Sequence, residues 1–497
     1  MGLGADRRQS PGREDRMVIT GSRPIERRYQ TCLAALSPRG QDHVLRWFPE
    51  LNPAQQAQLL DDIESIPWDL VEPLLESHVR QVPPKVVPAN LEPAPVWSRA
   101  PGSGQKRLYA EALELGRQML KEGKVAVLTV AGGQGTRLGF DGPKGEVVVT
   151  PSGGLSLFGL FAAMLATARD RYDAPIPWYI MTSPENHERT EAYFQQQQYF
   201  GLPPEDICFF AQGMLPAFDF QGRLLLAQKH RLALAPDGHG GTLRALVENE
   251  ALLDMHDRGI DIISYFQVDN PLVKPFDPLF IGLHAQAGSD MSTKVCAKAD
   301  DHEKVGNVCL HDGEVVVIEY TDFPDEYATA RTPDGRRKFD AGNLAIHLLD
   351  TWFVDRIVGQ TFQLPFRRAE KAVPFVDEFG SLQMPTTPNA VKLETFIFDA
   401  LPLADHALVL EVDRAEEFSP VKNATGVDSL EWAQRDQVRR ACRWLEAAGV
   451  HIPRRPDGEP DCTVVIAPSF ALDAEDVRER RSELPSVVEP GGQLYLS

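Results

Sequence analysis

From residue 105 onward the chain alternates two hydrophobic rhythms. Residues 108–122 have the spacing of an amphipathic helix, and KVAVLTV (124–130) follows as a short apolar run rich in β-branched residues. Leu157, Leu160, Phe161, Met164 and Leu165 recur at i, i+3, i+4, i+7 and i+8, one apolar face of a second helix that Ser156 is placed to cap. IPWYIMTS (176–183) and IDIISYFQVDN (260–270) read as strands, and residues 241–258 as a helix just before the second of them. Such alternation predicts an α/β fold with a mostly parallel, doubly wound sheet. In that architecture the ligand lies outside the carboxyl ends of the strands.

The flanks follow other patterns. Residues 1–28 are polar, basic and marked by Gly and Pro, which predicts a disordered tail. Short amphipathic runs such as QDHVLRWF and AQQAQLLDDIESI predict a helical region from residue 29. QVPPKVVPANLEPAPVW (81–97) has five prolines and is read as an extended linker rather than a helix. Residues 421–497, with CTVVIAPSFAL and GQLYLS, predict a small β-containing terminal domain. The expected order is therefore tail (1–28), helical region and linker (29–100), α/β domain (101–420) and terminal domain (421–497).

Composition narrows the classes of function. A chain of 497 residues with 43% hydrophobic content can build a large core, and a formal charge of −20 argues against nucleic acid or an anionic membrane surface as partner. The six cysteines form no C-x-x-C pair and no zinc-type spacing, a pattern of reduced thiols that points to the cytoplasm. MGLGADRRQSPGREDR lacks the apolar core of a secretory signal, and Asp6 breaks the myristoylation pattern that Gly2 would begin. The apolar stretch 155–166 is too short to span a bilayer.

Candidate chemistry clusters at strand ends. VAGGQGTRLGFDGPKG (130–145) places six glycines after the first strand. Leu138 stands where a dinucleotide fingerprint needs its third glycine, and Pro143 and Gly145 around Lys144 break the P-loop pattern. Arg137 and Lys144, two cations in one excursion, still mark a loop suited to phosphates. Asp269 ends an apolar strand, where it is read either as a cap before Pro271 or as a hard oxygen ligand for Mg²⁺. APDGHGG (235–241) precedes a helix, so its backbone N–H groups can face an anion or a sugar hydroxyl, with His239 as a positioned donor. Asn343 in AGN and Glu319 in VVVIEY have hydrogen-bonding groups for a polyhydroxylated ligand, or serve a turn and an ordinary strand. Lys422, in FSPVKNA, reads by itself as a solvated lysine.

AGGQGTRLG with PKG, WYIMTS, FFAQGMLPAF, APDGHGG, VDNPLVK, VIEY, FDAGN, PNAVKLETFIFD and EFSPVKNA run in order from residue 131 to 424. Together they resemble the eukaryotic-type UDP-N-acetylglucosamine pyrophosphorylases and their UDP-sugar pyrophosphorylase relatives. The resemblance implies a Rossmann-like nucleotidyltransferase core joining UTP to a hexose(amine) 1-phosphate, with release of pyrophosphate. It implies that Gly132 and Gly133 pack against uridine and that Gln212 and Gly238 help hold the uracil. Arg137, Lys144 and Lys422 would meet the phosphates, Asp269 would bind Mg²⁺, and His239, Glu319, Asn343 and Lys392 would surround the sugar and its phosphate. Asn343 and the glycines after His239 side with the N-acetylhexosamine branch, whereas His239 stands where that branch usually has Asn. N-acetylglucosamine 1-phosphate is the expected acceptor and glucose 1-phosphate the alternative. A non-catalytic UDP-sugar sensor is the rival from another class, and the presence of Arg137, Lys144, Asp269 and Lys422 speaks against it.

Overall fold

The computed structural model describes residues 25–84, 90–151, 154–359, 362 and 364–497. Most of the expected tail and residues 85–89 of the expected linker lie outside them. Helix α1, Ile25–Leu36, begins before residue 28, so the first helical turn starts inside the stretch read as tail.

The chain divides into two compact units, and the division is not linear. The first comprises Met1–Val82, Leu215–Ala235 and Ala369–Lys392. Its helix α2, Pro53–Glu64, starts at a capping box in which Asn52 and Gln55 satisfy each other's backbone N–H groups. Two buried polar side chains tie these helices to the inserted segment. Gln41 donates to the Gly222 carbonyl (2.8 Å) and accepts from the Leu224 N–H (2.8 Å). Asp62 accepts from Arg231 Nε (2.8 Å) and the Leu232 N–H (2.9 Å). Hydrophobic periodicity carries no sign of this grouping, because it depends on pairs some 170–180 residues apart.

The second unit contains Pro83–Met214, Pro236–Arg368 and Leu393–Ser497. Its main sheet contains β1 (Val96–Trp97), β2 (Val125–Val130), β3 (Trp178–Thr182), β4 (Ile207–Ala211), β5 (Ile262–Gln267), β6 (Met291–Ala297), β7 (Asn307–His311), β8 (Glu314–Ile318), β9 (Ala341–Asp350) and β10 (Ala407–Glu411). The main path runs β1-β10-β6-β9-β5-β2-β3-β4, and the β7–β8 hairpin joins it through β9. β2, β3, β4 and β5 pair in parallel, as do β6 with β10 and β10 with β1. β9 alone on this path is antiparallel to its neighbours, β5 and β6. The amino end of β9 therefore lies at the edge where the parallel strands have their carboxyl ends.

Helices cover both faces of the sheet, each over its own apolar cluster. α3 (Lys106–Lys121) and α4 (Leu157–Tyr172) pack on one, and the Ser156 hydroxyl accepts the Gly159 N–H as a cap. The helix expected over 241–258 is broken in two. Glu250 takes a left-handed conformation (φ 59°) between α5 (Gly241–Glu248) and α6 (Ala251–Asp257). α7 (Pro278–Gln286) starts at Asp277, whose carboxylate accepts the Leu279 N–H. Beyond residue 421, α8 (Leu430–Ala447) and a parallel pair, β11 (Cys462–Ile466) and β12 (Gly492–Leu496), enclose a separate apolar cluster around Trp444, Leu445 and Val464. No helix among the described residues is long and apolar enough to cross a membrane.

Candidate active site

The glycine loop leaves β2 at its carboxyl end and folds back on itself. Gly135 N–H donates to the Gly142 carbonyl (2.8 Å) and Lys144 N–H to the Gly133 carbonyl (3.0 Å), so Lys144 returns to the point where the loop departed. Asn186 fixes the base of the loop by donating to the Ala131 carbonyl (3.0 Å) while accepting the Ser183 N–H. Gln212, buried just after β4, donates its backbone N–H to the Thr182 carbonyl, and its side chain lies over Gly132. A Cβ at Gly132 would stand 3.1 Å from the Gln212 amide, so the side chain approaches bare backbone. Gly133 is exposed beside it, and Arg137 is exposed on a short 3₁₀ turn, Thr136–Leu138.

Lys144 meets Asp269 across the gap between β2 and β5. Its ammonium lies 3.6 Å from the carboxylate, with side-chain exposures of 19% and 10%. The Asp269 carbonyl accepts the Val421 N–H (2.8 Å), which brings the segment carrying Lys422 to the same strand end. Lys422 itself is exposed, with its ammonium 5.8 Å from the Phe418 ring centre. Among the described residues no three His, Cys, Asp or Glu side chains gather to hold a metal. A single carboxylate at a phosphate loop fits Mg²⁺ that takes most of its oxygen ligands from phosphates and water.

His239 is set by aromatic and backbone contacts. Gly238 takes φ +84°, and a Cβ there would meet the Thr395 carbonyl oxygen at 2.3 Å, so the chain passes close to residue 395 only because no side chain intervenes. The His239 ring stacks on Phe396 (centroids 5.1 Å apart, 11° between planes), with Phe398 at 5.7 Å. Ile397 N–H donates to Nδ1 (3.2 Å), which leaves the hydrogen of the neutral ring on Nε2. Burial, assisted by the Arg367 guanidinium, lowers the ring's pKa to about 4, so it is a neutral donor at physiological pH. Arg367 lies over Phe396 and makes a two-point contact with Asp399 (3.2 and 2.7 Å). Asp237, next to Gly238, is pushed up to about 7 by burial against the pull of Arg244.

Asn343 comes to this edge because β9 runs antiparallel. Its side-chain oxygen accepts from Thr293 Oγ1 (3.3 Å) and the Ala345 N–H (3.1 Å), and its backbone N–H donates to the Gly306 carbonyl. Glu319 follows the β7–β8 hairpin and has a carboxylate oxygen close to the same Gly306. Burial raises the Glu319 pKa, with Arg367 and Lys422 opposing and Asp322 and Asp399 adding to it. Lys392 belongs to the other unit, on the strand Ala390–Glu394, and is half-buried there.

Phe396, Phe398, Arg367 and Asn186 were not legible as site residues. The alternation F-I-F in KLETFIFDA was the available signal for the aromatic pair, since residues two apart share a face of extended chain. Nothing in PFRRAEKA distinguishes Arg367 from its neighbours. A cavity of about 910 Å³ between α3, α4, α7 and the α8–β11 region holds none of the candidate residues.

A glycine loop, a cation–carboxylate pair and a fixed histidine at the carboxyl edge of a mostly parallel sheet define an α/β protein of the nucleotide-binding class. A family model described as UTP–glucose-1-phosphate uridylyltransferase matches residues 100–432, and the chain belongs to that family. A Homo sapiens UDP-N-acetylhexosamine pyrophosphorylase-like protein 1 is 36% identical over 90% of this chain and 93% of its own. The Saccharomyces cerevisiae UDP-N-acetylglucosamine pyrophosphorylase is 37% identical over 82% of this chain and 90% of its own. The crystal structure of the Trypanosoma brucei uridine diphosphate N-acetylglucosamine pyrophosphorylase in complex with inhibitor shares the fold, with a TM-score of 0.78 over 95% of this chain and 98% of that one at 23% identity.

Proposed function

We propose that this chain is a uridylyltransferase that makes UDP-N-acetylglucosamine and pyrophosphate from UTP and N-acetylglucosamine 1-phosphate. The observation that carries this reading is the Lys144–Asp269 pair at the ends of adjacent parallel strands, with the Lys422 segment hydrogen-bonded to the same Asp269. An oxygen of the sugar phosphate attacks the α-phosphorus of UTP in line. The bond from that phosphorus to the bridging oxygen breaks, and pyrophosphate leaves with the electron pair. The nucleophile is already an anion near neutral pH, so no general base is needed. Bringing several negative charges together is the difficulty, and cations held in place with little reorganisation are the remedy.

Gly132, Gly133 and Gln212 are suited to hold the nucleoside: space is open where a Cβ of Gly133 would stand, so a flat base can lie against that backbone, and the Gln212 amide packed on Gly132 has a donor and an acceptor for it. Gly238 belongs to the same nucleotide-binding set. Lys144, Arg137 and Lys422 offset phosphate charge. Mg²⁺, when bound at Asp269, would supply further positive charge to the phosphates. His239 Nε2–H, Glu319 and Asn343 give the sugar one donor, one acceptor and one mixed group, beside the apolar wall of Phe396 and Phe398. That combination suits an acetamido group, with a polar carbonyl and a methyl, better than a bare hydroxyl. All six cysteines are free, which fits the reducing cytoplasm proposed as its location.

Purified protein assayed with UTP, Mg²⁺ and a panel of sugar 1-phosphates tests the reading. Pyrophosphate release should be fastest with N-acetylglucosamine 1-phosphate. Equal or faster release with glucose 1-phosphate would overturn the sugar assignment, and no release with any sugar would leave a UDP-sugar sensor.

A further inference from the structure

A second cluster of charges lies buried behind the candidate site. Lys294 on β6 is fully buried, and its ammonium contacts Asp277 (2.8 Å) and Glu417 (2.5 Å). Arg99 reaches the same two carboxylates at 2.9 Å each, and Lys274 lies 3.9 Å from Glu417. Three cations thus face two carboxylates. Burial opposes the charge on Glu417, but Lys294, Lys274 and Arg99 outweigh it and hold the carboxyl below its usual range. A buried network of this kind is a poor source of stability, since apolar residues of similar volume often serve as well or better. What it does supply is a fixed geometry.

Two chain segments meet there. Asp277 follows Asp269 by one turn of chain and the short loop before α7. Glu417 precedes Lys422 by a strap that runs back to the same strand end. The two segments are stitched by Asn270, which donates to the Glu417 carbonyl (2.7 Å) and accepts the Ser419 N–H (3.1 Å), and by the Val421 N–H on the Asp269 carbonyl (2.8 Å). Arg440 on α8 adds a third tie, donating to the Leu272 and Glu416 carbonyls (3.1 Å each). Lys422 has an exposed side chain, and its backbone is set on one side by this strap, through Val421, and on the other by its own N–H, which donates to the Asp428 carbonyl (2.7 Å).

We infer that Glu417 and Lys294 are positioning residues that lock the Lys422 strap to the Asp269 strand end, and so set where the Lys422 ammonium stands for phosphate transfer. This rests on the proposed function, because it gives Lys422 a phosphate to meet. Glu417→Gln keeps the volume and removes the charge that Lys294 and Arg99 hold. A loosened strap disperses the Lys422 ammonium in the transition state more than in the ground state, so the loss falls on kcat.

A coupling experiment tests the inference. Glu417→Gln should lower kcat about tenfold with little change in KM, and in the Lys422→Ala background it should cost less than about twofold further, because the group it positions is gone. Hydrogen exchange at the Val421 amide, which donates to the Asp269 carbonyl, should quicken, while β2 and β5 stay protected. An equal fold-loss in both backgrounds, or unchanged exchange at Val421, would overturn the inference. If Glu417→Gln fails to fold, the double variant Lys294→Met with Glu417→Met, which removes one buried charge of each sign and leaves Asp277 paired with Arg99, should fold and show the same loss of kcat and of protection. Exchange is read without turnover. Faster exchange in the variant of a wild type that releases no pyrophosphate would count against the proposed function and leave the anchoring standing.

Discussion

Lys144→Ala should abolish most turnover and leave the fold in place. Two unit charges 3.6 Å apart, the separation of the Lys144 ammonium and Asp269, interact by about 5 kcal/mol at an effective dielectric constant of about 20. Charge that develops on a transferring phosphoryl group spreads over several oxygens, so one ammonium acts on about half of it, or roughly 2.3 kcal/mol. That is about fiftyfold in kcat, just below the hundredfold at the lower end of what removing one preorganised transition-state contact costs. Stability should change less. The pair is neither fully buried nor open, and its loss should cost about 1–2 kcal/mol, between surface and buried ion pairs. Pyrophosphate release under saturating UTP and N-acetylglucosamine 1-phosphate measures the first quantity, and urea denaturation the second. A variant with kcat within about threefold of wild type would refute the role given to Lys144. A variant that unfolds would show that the ion pair is structural instead.

The remaining predictions concern the metal, the sugar and pH. Asp269→Asn should raise the Mg²⁺ concentration needed for half-maximal activity by about tenfold or more, since a neutral amide is a weaker oxygen ligand; an unchanged titration curve counts against Asp269. His239→Asn should shift kcat/KM toward N-acetylglucosamine 1-phosphate over glucose 1-phosphate by about 1 kcal/mol, the worth of one exchanged neutral hydrogen bond. No shift in that ratio would show that this side chain does not read the 2-substituent. Burial holds the His239 ring near 4, whereas in the unfolded chain it titrates near 6.5. Its stabilising contribution is therefore complete above about pH 6.5 and is lost as pH falls toward 4, by about 3 kcal/mol in total. Wild type should lose that much more than His239→Asn between pH 7 and 4 in urea midpoints. Asp237, raised to about 7, acts in the opposite sense in both proteins and cancels from the difference. Parallel pH curves for the two proteins would refute the neutral buried ring.

The elements themselves were legible because they rest on short-range physics. β2 lies in the β-branched run 124–130, Ser156 caps α4 through the Gly159 N–H, and the glycine loop turns where its composition allows. Parallel topology followed from the alternation and put the glycine loop, the end of IPWYIMTS and Asp269 at one edge. The sequence alone left Asn343 as an Asn that either served a ligand or satisfied a turn. Only the antiparallel direction of β9 delivers it to that same edge, and strand direction is decided by the pairing partners β5 and β6 rather than by the strand's own residues. Lys422 read as a solvated lysine for a similar reason. Its place depends on the Val421 N–H meeting Asp269, about 150 residues earlier, and on Lys294, which looks like any polar residue in a strand until the fold buries it against Asp277 and Glu417. Local rules fix where a chain turns and which face is apolar. Which charges meet is settled only when distant segments are packed together, because a buried ion's energy depends on partners that the sequence does not place beside it.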